Sequence, residues 1–115
     1  MLVEDHLSFR QALAFLLRRE PDVEVVAQAD SLAQARQMLH RRLDVAVVDL
    51  ALPDGDGREL IGELHQSNAG ISVLVLSATI APRDLEEILK AGADAVLHKA
   101  ASIPTIVKEV RRLAG

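Results

Sequence analysis

Cysteine is absent from the 115 residues, which excludes disulfides, thiolate metal centres and thiol catalysis. Tryptophan and tyrosine are absent as well, leaving Phe9 and Phe15 as the only aromatic side chains. There is no excess of positive charge: 13 Lys and Arg against 17 Asp and Glu give a formal −4. These residues alone are therefore poorly suited to a nucleic-acid backbone or an anionic membrane surface. No run is long and apolar enough to span a bilayer, and nothing resembles a signal peptide, so a cytoplasmic location is expected. Internal repeats, linkers and low-complexity stretches are missing too.

Half of the residues are apolar, and the length fits one domain with a real core. Four apolar runs each end in a polar residue of a kind that phosphoryl chemistry uses. MLV runs into Glu4-Asp5, VAVV into Asp49, ISVLVL into Ser77 and AVLH into Lys99. As neighbouring parallel strands, these runs would bring an acidic pair, a carboxylate, a hydroxyl and an ammonium to one crevice. Ligands bind at that edge of open α/β sheets.

Helical and strand-like segments alternate along the chain. Residues 7–19 carry an apolar stripe at Phe9, Ala12, Leu13, Leu16 and Leu17, the spacing of a helix. Pro21-Asp22 ends it, and VEVVAQA (23–29) reads as a strand. Ser31 caps a second helix with Leu32, Ala35 and Leu39 inward. After the strand at 45–48 comes the turn-rich ALPDGDG (51–57), then a helix with Leu60, Ile61 and Leu64. Strand 72–76 is followed by a helix opened by Pro82, carrying Leu85, Ile88 and Leu89 and stopped by Gly92. AVLH (95–98) is a short strand, and Ser102 caps a last helix with Ile106, Val107, Val110 and Leu113 inward. Five β-α units of this kind give a parallel sheet covered on both faces. Only Met1, Leu2 and Val3 precede the acidic pair, where a strand has about five or six residues, so the first strand is either short or continued upstream.

In this setting, VVDLALPDGDG resembles the phosphorylation loop of response-regulator receiver domains. Glu4-Asp5 matches the family's acidic pair, Asp49 its phosphoacceptor, Ser77 in VLVLSA its Ser/Thr position, and Lys99 in GADAVLHKA its lysine. AASIPTIVKEVRRL is similar to the last helix of the LuxR/NarL-type subgroup. The resemblance covers nearly the whole chain, residues 1–115 forming one receiver domain. It implies a flavodoxin-like, doubly wound, five-stranded parallel sheet of order 2-1-3-4-5 with five helices. It also implies an Asp49 that accepts a phosphoryl group from a histidine kinase, with Ser77 and Lys99 assisting. Mg²⁺ would be held by Asp5, Asp49 and the carbonyl of Ala51, with Glu4 acting through water. A homodimer on activation is implied, with DNA reached through a helix-turn-helix output domain expected to lie outside these residues.

Other readings are weaker. A haloacid-dehalogenase-like phosphatase also uses an aspartyl phosphate, but it places a second Asp two residues on, where this chain has Ala51. The nearer alternative is a degenerate or stand-alone receiver acting as a dimerisation or interaction module; the intact set Glu4, Asp5, Asp49, Ser77 and Lys99 opposes degeneracy. Asp54 and Asp56 read as turn residues, and His6, His40, His65 and His98 lack metal-ligand spacing. Three departures from the family pattern stand out. Val96 occupies the position where many receivers have a Tyr or Phe that reports phosphorylation. Ala100 follows Lys99 where many have Pro, so a trans or strained bond is expected there. Phe15 lies off the apolar stripe of its helix and would be exposed.

Overall fold

The computed structural model describes residues 1–79 and 81–115. In chain order the elements are β1 (Leu2–Val3), α1 (Leu7–Arg18), β2 (Gln28–Ala29), α2 (Leu32–Arg36), β3 (Val45–Asp49) and β4 (Ala51–Leu52). They continue with β5 (Gly55–Asp56), α3 (Arg58–Ser67), β6 (Ser72–Ser77), α4 (Pro82–Lys90), β7 (Ala95–His98) and α5 (Ile103–Ala114). Five strands form one parallel sheet in the order β2-β1-β3-β6-β7. Setting aside the small β4-β5 ribbon, this is the expected order 2-1-3-4-5.

Period-two side-chain alternation sends successive strand residues to opposite faces. Val47, Leu74 and Leu76 bury themselves with Leu13, Leu17, Ile106 and Val110, so α1 and α5 cover one face. Ala46, Val48, Val73 and Val75 pack with Leu32, Leu60, Ile61, Leu64 and Ile88, so α2, α3 and α4 cover the other. Val96 belongs to this second layer and Leu97 to the first. The order reverses between β1 and β3, and the crevice outside their carboxyl ends is the place where such sheets bind ligands.

The structure differs from the sequence reading in four places. The strand expected over 23–29 is reduced to Gln28–Ala29. It is an edge strand whose sole neighbour, β1, offers two residues, and the ladder cannot extend beyond its partner. Val23, Val25 and Val26 still pack against the core beside it. The second helix stops at Arg36, so Leu39 reaches the core from a following turn. The 51–57 loop contains an antiparallel ribbon, with Ala51 opposite Asp56 and Leu52 opposite Gly55. Finally, Leu89 is exposed, leaving Ile88 as the buried residue of α4.

The local signals otherwise hold. Ser31 Oγ and Ser102 Oγ accept from the backbone N–H groups of Gln34 and Thr105. Pro82 begins α4, and Gly92 has φ +112°, a left-handed conformation suited to glycine after a helix. The Lys99–Ala100 peptide is trans. Asp54 and Asp56 are structural in geometry. Asp54 accepts from the N–H groups of Leu32 (2.8 Å) and Ala33 (2.9 Å), tying the ribbon to the start of α2. Asp56 accepts from the Arg58 N–H at 2.9 Å. His65 Nε2 donates to the Gly92 carbonyl at 2.7 Å, and His98, exposed at the sheet edge, accepts from the Ala100 N–H through Nδ1.

Asp54→Ala removes both acceptors from the first turn of α2 and should lower the melting temperature measured by circular dichroism. Asp54→Asn, which keeps one side-chain oxygen, should recover part of the loss. An Ala variant that melts with the wild type would show that the cap contributes nothing.

Candidate functional site

Each side chain expected at the crevice is delivered by a strand end. Asp49 closes β3 and Ser77 closes β6. Glu4 follows β1, its N–H bonded to the Ala29 carbonyl at 2.9 Å. Lys99 follows β7, its N–H bonded to the Ser77 carbonyl at 2.8 Å. The ladder hydrogen bonds thus run up to the rim of the crevice and set the spacing of these backbones. Gly57 lets the end of the ribbon close over β3: a Cβ there would press into the Asp49 carbonyl oxygen, and the Gly57 N–H bonds Leu50 O at 2.8 Å.

Glu4 and Asp49 are buried carboxylates, 3% and 2% exposed. Lys99 Nζ lies 2.7 Å from Asp49 Oδ2 and 2.7 Å from Glu4 Oε1. With Asp49 this is a formed hydrogen bond. With Glu4 it is a charge contact only, and Oε1 remains a buried oxygen without a hydrogen-bond partner. Asp49 Oδ1 accepts from the Ala51 N–H at 3.1 Å, and Glu4 Oε2 from the His6 N–H at 3.3 Å.

These surroundings set the charge states. Burial, followed by the neighbouring Asp49 carboxylate, pushes the Glu4 carboxyl up from 4.5 to about 7, with Lys99 opposing. Burial also works against the Lys99 ammonium, but Asp49 and then Glu4 outweigh it and hold its pKa above the usual lysine value. Glu4 therefore holds its proton part of the time near neutrality, while Lys99 stays charged.

Asp5 is exposed at the mouth. One carboxylate oxygen each from Glu4, Asp5 and Asp49 fall within 4.8 Å of one another. An all-oxygen set of this kind suits a hard divalent cation. On the other side of Asp49, a shallow cleft is lined by Ala51, Arg58, Ser77 and Thr79. Ser77 Oγ donates to the Thr79 carbonyl at 2.6 Å and lies 3.3 Å from the Thr79 N–H, folding residues 78–79 onto the end of β6.

Comparison with known proteins gives this geometry a family. The family model described as response regulator receiver domain matches residues 1–111. The chain belongs to that family. It is 36% identical over 114 residues to the transcriptional regulatory protein UhpA of Salmonella typhimurium, covering 98% of this chain and 57% of UhpA. Among solved structures, the receiver domain of the response regulator NarL from Mycobacterium tuberculosis matches with TM-score 0.88 and 31% identity, covering 98% of this chain and 92% of that one. A response regulator from Burkholderia pseudomallei, whose crystal structure carries a phosphorylated aspartic acid, a calcium ion and citrate, matches with TM-score 0.86 and 26% identity. That match covers 98% of this chain and 66% of the other. The receiver is thus of the LuxR/NarL type and spans a little over half the length of UhpA. No helix among its described residues is long and apolar enough to cross a membrane.

All five residues read as chemical from the sequence meet at this crevice. Two further contacts escaped that reading. Arg10 Nη1 donates to the Glu4 carbonyl at 2.6 Å, steadying the acidic turn from α1. Phe9, read as a member of the core stripe, also lies against Lys99. The spacing of a helix shows which residues face inward, but a contact with a residue 90 positions away leaves no local signal.

The raised Glu4 pKa has a definite sign for stability. Between about pH 4.5 and 7 the unfolded chain releases this proton before the folded one does. The folded state then holds more protons, and Glu4 makes stability fall as pH rises through that window. Glu4→Gln removes the cost, so its melting-temperature advantage over wild type, measured without divalent cations, should grow from pH 5 to pH 8. A difference independent of pH would contradict the shift.

Proposed function

We propose that the crevice is a phosphoacceptor site, with Asp49 as the nucleophile. The observation that carries this reading is a buried Asp49 carboxylate whose two oxygens are separately held, by the Lys99 ammonium and the Ala51 N–H. An Asp49 oxygen attacks the phosphorus of a phosphohistidine on a histidine kinase. The P–N bond breaks, the imidazole leaves with its electron pair, and an acyl phosphate forms. Phosphoryl transfer depends mostly on positioning and on stabilising charge over the equatorial oxygens. Lys99 supplies a fixed positive charge, already desolvated against Asp49, that can follow the charge onto the phosphoryl group. Ser77 can turn its hydroxyl from the Thr79 carbonyl to a phosphoryl oxygen. Water later attacks the phosphorus, releasing phosphate and regenerating the carboxylate.

Mg²⁺ would be held by Asp5, Asp49 and the Ala51 carbonyl, with Glu4 acting through water, and it would supply positive charge against the phosphoryl oxygens. Glu4 fits that role because its buried carboxylate lies beside those of Asp5 and Asp49. Ala51 offers no carboxylate to act as general acid, which separates the site from phosphatases that turn over an aspartyl phosphate. We assign these 115 residues to a single receiver domain whose phosphorylated form pairs with a second copy. Its output would be transcription, through a DNA-binding domain outside these residues. Support comes from the UhpA similarity and from the net negative charge, which leaves DNA contact to another part of the protein.

Mass spectrometry after incubation with acetyl phosphate and Mg²⁺ tests the assignment. A phosphoryl adduct on Asp49, absent from Asp49→Asn, is expected. A wild-type chain unmodified under any donor would mark an interaction module without phosphoryl chemistry. Mg²⁺ alone should raise the melting temperature at pH 7.5, since mass action adds about 2.7 kcal/mol of stability at a hundredfold excess over Kd. No change at saturating Mg²⁺ would argue against a preformed cation site.

A further inference from the structure

Phe9 and Phe15 both lie on α1 but meet different surroundings. Phe15 is 62% exposed and has Arg19 above its ring. Phe9 is partly buried against the core layer of α1 and α5, and its ring centroid lies 5.6 Å from Lys99 Nζ. The ammonium therefore has carboxylate oxygens at 2.7 Å from Asp49 and Glu4, together with an aromatic face.

Lysine is a point charge on a flexible four-carbon stem, and the Lys99 side chain is one-quarter exposed. Its hydrogen-bonded partner, Asp49, is the group whose charge changes during the proposed cycle, when it becomes an acyl phosphate. It cannot hold the ammonium steady throughout. A ring face attracts a cation through its quadrupole, takes no proton and carries no net charge, so its pull is the same in every state of the site. Leucine at this position would fill the same apolar space without that attraction.

We infer that Phe9 is a positioning residue for Lys99, its ring holding the ammonium at the crevice while the charge on Asp49 changes. This rests on the phosphoacceptor reading of Asp49. With no Trp or Tyr in the chain, the role explains why one of its two aromatic rings stands at the site.

The test is the rate of Asp49 modification by acetyl phosphate, in which acetate leaves as the Asp49 O–P bond forms. Phe9→Leu should slow it about two- to fivefold, the range corresponding to a partly exposed cation–π contact. Phe9→Tyr, which keeps the ring face, should restore most of the rate. Pentafluorophenylalanine at position 9 keeps the shape and reverses the face potential, so it should slow the reaction as leucine does; it serves in place of Phe9→Leu if that variant folds poorly. In a Lys99→Ala background the Phe9→Leu change should have no further effect. Equal rates for Phe9→Leu and wild type, or the same fractional loss with and without Lys99, would overturn the inference while leaving the phosphoacceptor site intact. A wild-type chain that takes no phosphoryl group would overturn both.

Discussion

Two carboxylates are buried at adjoining strand ends, and the arrangement depends on the Lys99 ammonium that touches both. Carboxylates in low dielectric without a counter-charge would take up protons or open the crevice to water. One ammonium shared between Glu4 and Asp49 neutralises only part of that charge, and burial, followed by the Asp49 carboxylate, raises the Glu4 pKa against it. The site is thus held together and left short of one positive charge at the same time. Removing one partner of a buried pair leaves the other uncompensated. Lys99→Ala should therefore disturb the fold around the crevice as well as its chemistry.

The position of Lys99 is set by the parallel sheet rather than by its own preferences. Its N–H bonds the Ser77 carbonyl, so the lysine and the hydroxyl are fixed to each other through the backbone. In the proposed cycle, Ser77 would exchange the Thr79 carbonyl for a phosphoryl oxygen, and the residues after β6 would lose their 2.6 Å tether. Val96, packed in the core layer of α3 and α4, is small and stiff at χ1 and cannot swing as a ring does.

Much of this was legible in the order of residues. Asp49, Ser77, Lys99 and Glu4 stand where apolar runs stop, and a parallel sheet turns that feature into proximity. Ser31, Pro82, Gly92 and Ser102 act locally, and each bounds the element it was expected to bound. What the sequence could not show depends on partners far along the chain. Gln28–Ala29 is short because β1 is short, which nothing in VEVVAQA reveals. Asp54, between β4 and β5, accepts from the start of α2, and a run of turn residues does not specify that target. Leu89 fits the apolar pattern of α4 as well as Ile88 does, yet α4 can turn only one of them fully into the core. Phe9 satisfied the helical stripe so well that a second contact was invisible.

The most direct test is a crystal structure with Mg²⁺ and beryllium trifluoride, which mimics a phosphoryl group on a carboxylate. The account predicts beryllium bonded to an Asp49 oxygen, Ser77 Oγ turned from the Thr79 carbonyl to a fluorine, and Lys99 Nζ moved off Glu4 toward a fluorine while still over Phe9. An unmodified Asp49, with Lys99 still between the two carboxylates and Ser77 still on Thr79, would contradict it.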